Sequence, residues 1–483
     1  MMELKKQVTG SLAKIVGENN VIYDKDALAA SDPIMVRMYE KAYAIPSPYQ
    51  ALCCVKAHTE NEISEILKYC NENDIHVIGR TGGSSSEDQL LVVDDRTIYL
   101  DASEMNKIVK IDPVNMVATV QCGLSMETFE QEANKAGLTT GHCPQSRPLA
   151  SVGGLVATRS IGQFSTYYGG IEDLLCGARA VLATGHIMEI RPVPRRSAGP
   201  DLRHLLLGSE GAWAFITEAT VKLFPYHPED MWKGGYIVKD FQTGIDCIRD
   251  IMVQGYKPAV VRLYDKADVD ENYGSVKLKD SEAFMFFTAE GPKEMARITG
   301  EAIDRTAKIY DAQYIGTAAV DHWFETKNNV CKVIGTEYDY RRFRETGVYN
   351  STIEICANWE DIGKIYEDAI SMLPEKVPAL TMLGGHVSHS YMNGTNVYFV
   401  YAMKIEDPEN ATSEIRGFIH TLCDIVLKYP SGTIVHHHGV GKVRVAKIKE
   451  ELGSSFEMLQ TIKEAFDPNG IMNPGCLVPL EKE

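Results

Sequence analysis

The chain has 483 residues, which at about 150 residues per domain makes two or three domains the expectation. Its 66 acidic against 49 basic residues leave a formal net charge of −17, which argues against a nucleic-acid backbone as the main partner. With 44% hydrophobic and 24% charged residues the composition is that of a globular protein, and no apolar run approaches the roughly 18 residues that cross a bilayer.

The first residues enter a mixed-charge helical pattern without the apolar stretch of a signal peptide, so a cytoplasmic location is expected. Residues 1–45 read as a helical lead-in. From Thr59 to Asp74, Ile63, Ile66, Leu67 and Cys70 recur at helical spacing, and His76-Val77-Ile78 reads as a strand feeding the glycine- and serine-rich loop Arg80 to Ser86. Strands are expected at Leu90 to Val93, Thr97 to Leu100 and Met116 to Gln121, then a helix at Ser125 to Ala136. Helices and strands mix without βαβ alternation, which favours α+β over a doubly wound sheet. Further glycine-rich stretches cover Ser151 to Gly170 and Leu207 to Ala214. The strand Thr217 to Phe224 ends at Pro225-Tyr226-His227-Pro228, a boundary that closes a first domain over 46–226. A second domain, 227–425, holds helices at Thr243 to Gln254 and Lys293 to Tyr310 and a strand at Ala259 to Leu263. Leu380 to Tyr391 and Asn396 to Met403 form a hairpin around Asn393-Gly394. Residues 426–483 carry three successive histidines, a helix at Ser454 to Phe466 and a turn at Asp467 to Gly470.

The eleven cysteines include no CxxC pair, so neither a disulfide framework nor a zinc or iron–sulfur site is expected. The loop at 79–86 offers backbone N–H groups and hydroxyls after a strand, an arrangement that suits a diphosphate and equally a plain turn; it is neither a GxGxxG nor a P-loop. On a strand, neighbouring side chains alternate, so of His436, His437 and His438 at most two share a face, His436 and His438. A solvated surface tract is the competing reading. The same period puts Val387, His389 and Tyr391 on one face, with His386, Ser388 and Ser390 on the other. Tyr391 reads as a hairpin aromatic packed beside Tyr398; a tyrosine acting as a base would need nearby positive charge, from Arg262, from one of Arg341, Arg342 and Arg344, or from the histidines. Arg262 interrupts an apolar strand, where it either pairs with Asp265 or another acid of the second domain, or clamps an anionic group.

The ordered set Ile78 to Ser85, Thr140 to Ser146, Ser151-Val152-Gly153-Gly154, Thr158-Arg159-Ser160 and Gly208-Ser209-Glu210-Gly211 resembles the FAD-binding domain of the vanillyl-alcohol oxidase superfamily. Ser197 to Leu202, Arg262-Leu263-Tyr264-Asp265, the Tyr391 hairpin and His436 to Arg444 resemble the alkylglycerone-phosphate synthases within it. The resemblance implies an α+β fold: a two-subdomain PCMH-type FAD-binding domain, a cap with an antiparallel sheet flanked by helices, and a C-terminal segment returning to the flavin. It implies that Gly79, Arg80, Thr81, Gly82, Gly83, Ser84 and Ser85, with Pro144, Gln145 and Ser146, hold the diphosphate and its surroundings. Ser151, Gly153, Gly154, Thr158, Ser160 and Ile161 would follow the ribityl and flavin, and Glu210, Gly211 and Ile216 would contact the cofactor mainly through backbone. Covalently flavinylated members use a histidine in the first loop; residues 79–86 have none, so FAD is expected to be non-covalent. Tyr391, His436, His437, His438 and Arg262 would be catalytic, and Arg344, His389 and His142 would bind substrate. Gly79 stands where proline is usual and Ala214 where glycine is common. The implied activity is hydride removal from a hydroxyl-bearing carbon of a small anionic substrate. The alternative is a redox-neutral transferase of the synthase type, working through a flavin N5 adduct. A homodimer and an electron-transfer partner complete the expectation.

Overall fold

The computed structural model describes residues 2–480. Its first half is built on two sheets. In the four-stranded one, Thr97–Asp101 lies between Cys54–Lys56 and His76–Arg80, parallel to both, and Val21–Ile22 adds an antiparallel edge. The helix Glu60–Asn73 covers this sheet; Thr59 and Glu62 close its N-terminus with a capping box, and the predicted stripe Ile63, Ile66, Leu67 and Cys70 is its buried face. The second sheet is antiparallel, in the order Ile108–Asp112, Val117–Gln121, Ala214–Lys222, Leu175–Leu182, Ile187–Ile190. Leu90 to Val93 is not a strand: Leu90 and Val92 pack beside Ile78 and Tyr99 from a loop, so their apolar character reflects burial without a ladder.

The cap carries a seven-stranded antiparallel sheet in the order Gln313–Gly316, Trp232–Val238, Ala283–Ala289, Val260–Tyr264, Leu380–Val387, Gly394–Lys404, Val348–Asn358. Its strands sort their side chains between two layers by the period of two. Val261, Leu263, Met285 and Phe287 face a large core built with the helices Phe241–Val253, Trp359–Lys376 and Ala411–Val426, while Val260, Tyr264, Phe284 and Phe286 face Trp323 on the opposite side. Arg262 shares this second side, facing the first half of the molecule.

The hairpin strand stops earlier than its apolar pattern suggests. Asn396 Oδ1 accepts from both Ser388 N (3.1 Å) and His389 N (2.8 Å), interrupting the ladder after Val387 until the Ser390–Thr395 bridge resumes it. Alternation therefore fails there, and His386, Ser388 and His389 all open onto one cavity. The histidine triplet is not on a strand either, and its pairing of His436 with His438 on one face does not hold; it lies on a bend organised by Glu354.

The C-terminal segment folds back onto the first half. Val440, Val445, Ile448, Phe456 and Leu477 join the core of the five-stranded sheet, and Val77 donates to the Ile471 carbonyl at 2.8 Å. Among the described residues no helix is long and apolar enough to cross a membrane.

Candidate active site

A cavity of about 1320 Å³ runs between the two halves, larger than the ~300–1,000 Å³ of an ordinary ligand pocket. One end is walled by residues 79–85 and by Pro144, Gln145 and Ser146. Its floor is formed by Ser151, Gly153, Gly154, Thr158, Ser160 and Ile161, with Glu210, Gly211 and Ile216 alongside. The loop is held in place from below. Gly82 N donates to Ser151 Oγ at 2.8 Å, and a Cβ at Gly82 would sit 2.4 Å from the Leu149 carbonyl oxygen, so only glycine allows this approach. Arg80 is anchored by Asp101 through Nη1, and its buried Nε has no hydrogen-bond partner. On the floor below the loop, a Cβ on Gly154 would meet nothing nearer than Thr81 Oγ1 at 3.6 Å. An orphaned donor on the loop and an open glycine on the floor fit a diphosphate group.

Glu210 serves the site by its side chain as well as its backbone. Its carboxylate accepts from Val440 N and Gly441 N, both at 2.8 Å, and so ties the C-terminal segment to this wall; burial pushes its pKa up.

The cap closes the other end with Arg262, Tyr264, Asp268, His386, His389 and Tyr398, and the C-terminal bend adds His437 and His438. Asp265 does not pair with Arg262. It caps the helix Lys266–Asn272 through Asp268 N and accepts from Gly385 N at 2.7 Å. Arg262 is 6% exposed, its Nε has no hydrogen-bond partner, and its guanidinium carbon lies 5.2 Å from the Trp323 ring centroid. His386 Nδ1 meets Asp268 Oδ2 at 2.6 Å, and its ring stacks on Tyr398 with centroids 5.0 Å apart. His389 bonds Ser165 Oγ at 2.8 Å; burial and the neighbouring His437 and His436 hold it well below the usual histidine range.

The family and structural comparisons agree with this architecture. Residues 51–191 match the FAD binding domain family, and residues 234–477 match the C-terminal domain of FAD linked oxidases. The chain belongs to the FAD-linked oxidoreductases of the vanillyl-alcohol oxidase superfamily. The uncharacterized FAD-linked oxidoreductase YgcU of Escherichia coli (strain K12) is 40% identical over 98% of this chain and 99% of its own length. The alkyldihydroxyacetonephosphate synthase of Dictyostelium discoideum is 26% identical over 89% of the chain and 73% of its own. A D-lactate dehydrogenase of Archaeoglobus fulgidus is also 26% identical, over 90% and 93% respectively. A solved alkyldihydroxyacetonephosphate synthase shares the fold at TM-score 0.77 and 21% identity, covering 97% of this chain and 84% of that one.

Four residues expected at the site of this flavoprotein lie off the cavity wall. Arg344 is exposed on the helix Glu337–Thr346; the arginine of that helix which lines the cavity is Arg342, bonded to Asp339 Oδ1 at 3.2 Å. His142 is buried beneath the floor, 3.4 Å from Ser160 Oγ, and burial pulls its pKa down to about 4. Tyr391 and His436 sit behind the wall, joined Oη to Nε2 at 2.7 Å, and His436 Nδ1 meets His437 Nδ1 at 2.8 Å. The surroundings of Tyr391 work against a phenolate on balance. Burial first, then Cys356, Glu172 and Asp173, raise its pKa, with Arg159 opposing.

Asp268, Glu87, Glu354 and Arg444 were not selected from the sequence, and no spacing rule points to them. They come from a helix N-terminus, a loop, a strand and the C-terminal segment; Asp268 meets His386, and Glu87 and Glu354 meet Arg444, only in three dimensions.

Proposed function

We propose that the protein oxidises a hydroxyl-bearing carbon of a small anionic substrate, with His386 as the base and Arg262 as the anion clamp. The single observation that carries this reading is the Asp268–His386 contact of 2.6 Å, opening onto the cavity that also holds Arg262.

FAD, when bound along residues 79–85 and the Gly154 floor, supplies the acceptor for a hydride. The protein's own work is to orient the substrate and move its proton. Asp268 accepts from His386 Nδ1–H, which leaves Nε2 as the free acceptor, the arrangement by which a carboxylate fixes a catalytic imidazole. As the carbon–hydrogen bond breaks and its electron pair leaves with the hydride, the hydroxyl proton passes to His386 Nε2 and the carbon becomes a carbonyl. Asp268 then stabilises the imidazolium. Arg262, whose Nε has no hydrogen-bond partner and which has Trp323 beside it, presents its donors to a carboxylate or phosphate on the substrate. The likeness to a D-lactate dehydrogenase supports a 2-hydroxy acid. FAD is held without a covalent bond, since residues 79–86 contain no histidine and Cys143 is turned to Gln163 and Lys327.

One observation favours the synthase-like alternative. The cavity lining includes apolar side chains, among them Tyr39, Val330, Ile415 and Ile419, of the kind a long alkyl chain would pack against. Anaerobic mixing of the holoenzyme with a panel of 2-hydroxy acids tests the first reading: one of them bleaches the flavin. Turnover of an acyl-dihydroxyacetone phosphate with a fatty alcohol, with no lasting bleaching by any hydroxy acid, would replace it with the second.

A further inference from the structure

Glu354 is 0% exposed on the edge strand Val348–Asn358, and its two carboxylate oxygens do different work. Oε1 accepts from three successive backbone N–H groups, those of His436, His437 and His438, at 3.2, 3.1 and 3.0 Å. Three consecutive amides converging on one oxygen form an anion nest, filled here by the protein's own carboxylate. Oε2 meets Arg444 Nη2 at 2.9 Å and His438 Nδ1 at 2.8 Å. Arg444, itself 0% exposed, also bonds Glu87 Oε2 at 3.1 Å, just beyond the FAD-facing loop. Glu87, Glu354 and His438 have metal-like spacing, but the Arg444 guanidinium occupies the place of a cation between the two carboxylates.

We propose that Glu354 is the positioning residue of the histidine triplet, turning His437 to the cavity as a neutral ring and holding His438 as a fixed cation on the cavity wall. The bend explains the first part. With all three amides bound to one oxygen the chain cannot extend into a strand, so the rings diverge: His436 to Tyr391, His438 to Tyr398 Oη at 3.1 Å, and His437 between them.

Charge balance explains the second part. The groups facing His438 are Glu354 on the cap strand, Glu87 on the loop, Arg444 on the C-terminal segment, Tyr398 on the hairpin and the neutral His437. Two carboxylates and one guanidinium leave one uncompensated negative charge, and a proton on His438 neutralises it. Burial works against that proton, yet Glu354 and Glu87 override it and raise the His438 pKa, while burial and the adjacent His438 keep His437 well below the usual range. A fixed cation on this wall favours an anionic substrate, a use that rests on the reading proposed above; the arrangement itself does not.

The test is nuclear magnetic resonance titration of histidine-labelled, FAD-loaded protein, with the His438 signal assigned by its loss in His438→Gln. The expected result is that wild-type His438 titrates above its ordinary range and that Glu354→Gln lowers its midpoint by about 1–3 pH units. Glu87→Gln lowers it too while leaving the three amide bonds in place, and it decides the matter if Glu354→Gln does not fold. A wild-type His438 that is neutral at pH 7, or a midpoint unmoved in the variant that folds, overturns the proposal. If no hydroxy acid bleaches the flavin but the midpoint shifts, the proposed reaction falls and the role of Glu354 stands.

Discussion

Asp268 Oδ2 and His386 Nδ1 meet at 2.6 Å, joining the first turn of the helix Lys266–Asn272 to the end of the strand Leu380–Val387. Asp268 is 1% exposed, so the pair is insulated from water on the carboxylate side and open to the cavity on the imidazole side. Removing a positioned base costs about 10²–10⁴ in rate. His386→Asn and Asp268→Asn are therefore expected to slow flavin reduction by that order with FAD still bound, as read by stopped-flow absorbance with the hydroxy acid that bleaches the wild type.

Tyr391 gives the opposite expectation. It bonds His436, which in turn meets His437 on the cavity wall, and its surroundings disfavour the phenolate. Tyr391→Phe should slow flavin reduction by less than about tenfold, short of the loss of a general base. A loss as large as that of His386→Asn would transfer the proton-accepting role to the tyrosine.

Arg262 should reveal itself in substrate affinity. A charge-assisted hydrogen bond contributes about 1.5–3 kcal/mol, so Arg262→Met is expected to lower kcat/KM by about ten- to a hundredfold, chiefly through KM. An unchanged KM would mean that the guanidinium serves packing against Trp323 alone.

The flavin should dissociate on acid denaturation, leaving the yellow colour in the supernatant and a colourless pellet. Gly82→Ala is expected to yield apoprotein, because the added methyl group would press on the Leu149 carbonyl oxygen at 2.4 Å and displace the loop. Absorbance of the purified variant near the flavin bands measures this directly.

Acid should destabilise the fold through its buried histidines. Burial holds His142 and His436 neutral, with pKa values pulled to about 4, whereas in the unfolded chain they take a proton near pH 6.5. Below that point the unfolded state binds more protons than the native one, so this stability is complete above about pH 6.5 and is lost as pH falls towards 4. For His142, 2% exposed, the slope is about 1.4 kcal/mol per pH unit. Thermal unfolding of His142→Asn across that window should show a shallower decline than the wild type.

Local sequence is enough to specify the fold class and to single out the loop residues that wall one end of the cavity. Both depend on local features: the 3.6-residue stripe of Glu60–Asn73, the glycines and serines of 79–85, and motifs whose order along the chain is their signal. Backbone donors bind a diphosphate whatever the side chains do, so such loops can be read without knowing the fold. The substrate end was decided only by the tertiary structure. Strand alternation was the rule available for His386 to Tyr391 and for the histidine triplet, and in both places a distant buried side chain, Asn396 or Glu354, takes the backbone N–H groups and ends the alternation. Arg342 and Arg344 stand two residues apart on one helix, about 200° around its axis, so the cap's packing sends one to the cavity and the other to water. Asp268, Glu354 and Arg444 gain their meaning from partners 118, 84 and 357 residues away, a separation that no local pattern encodes.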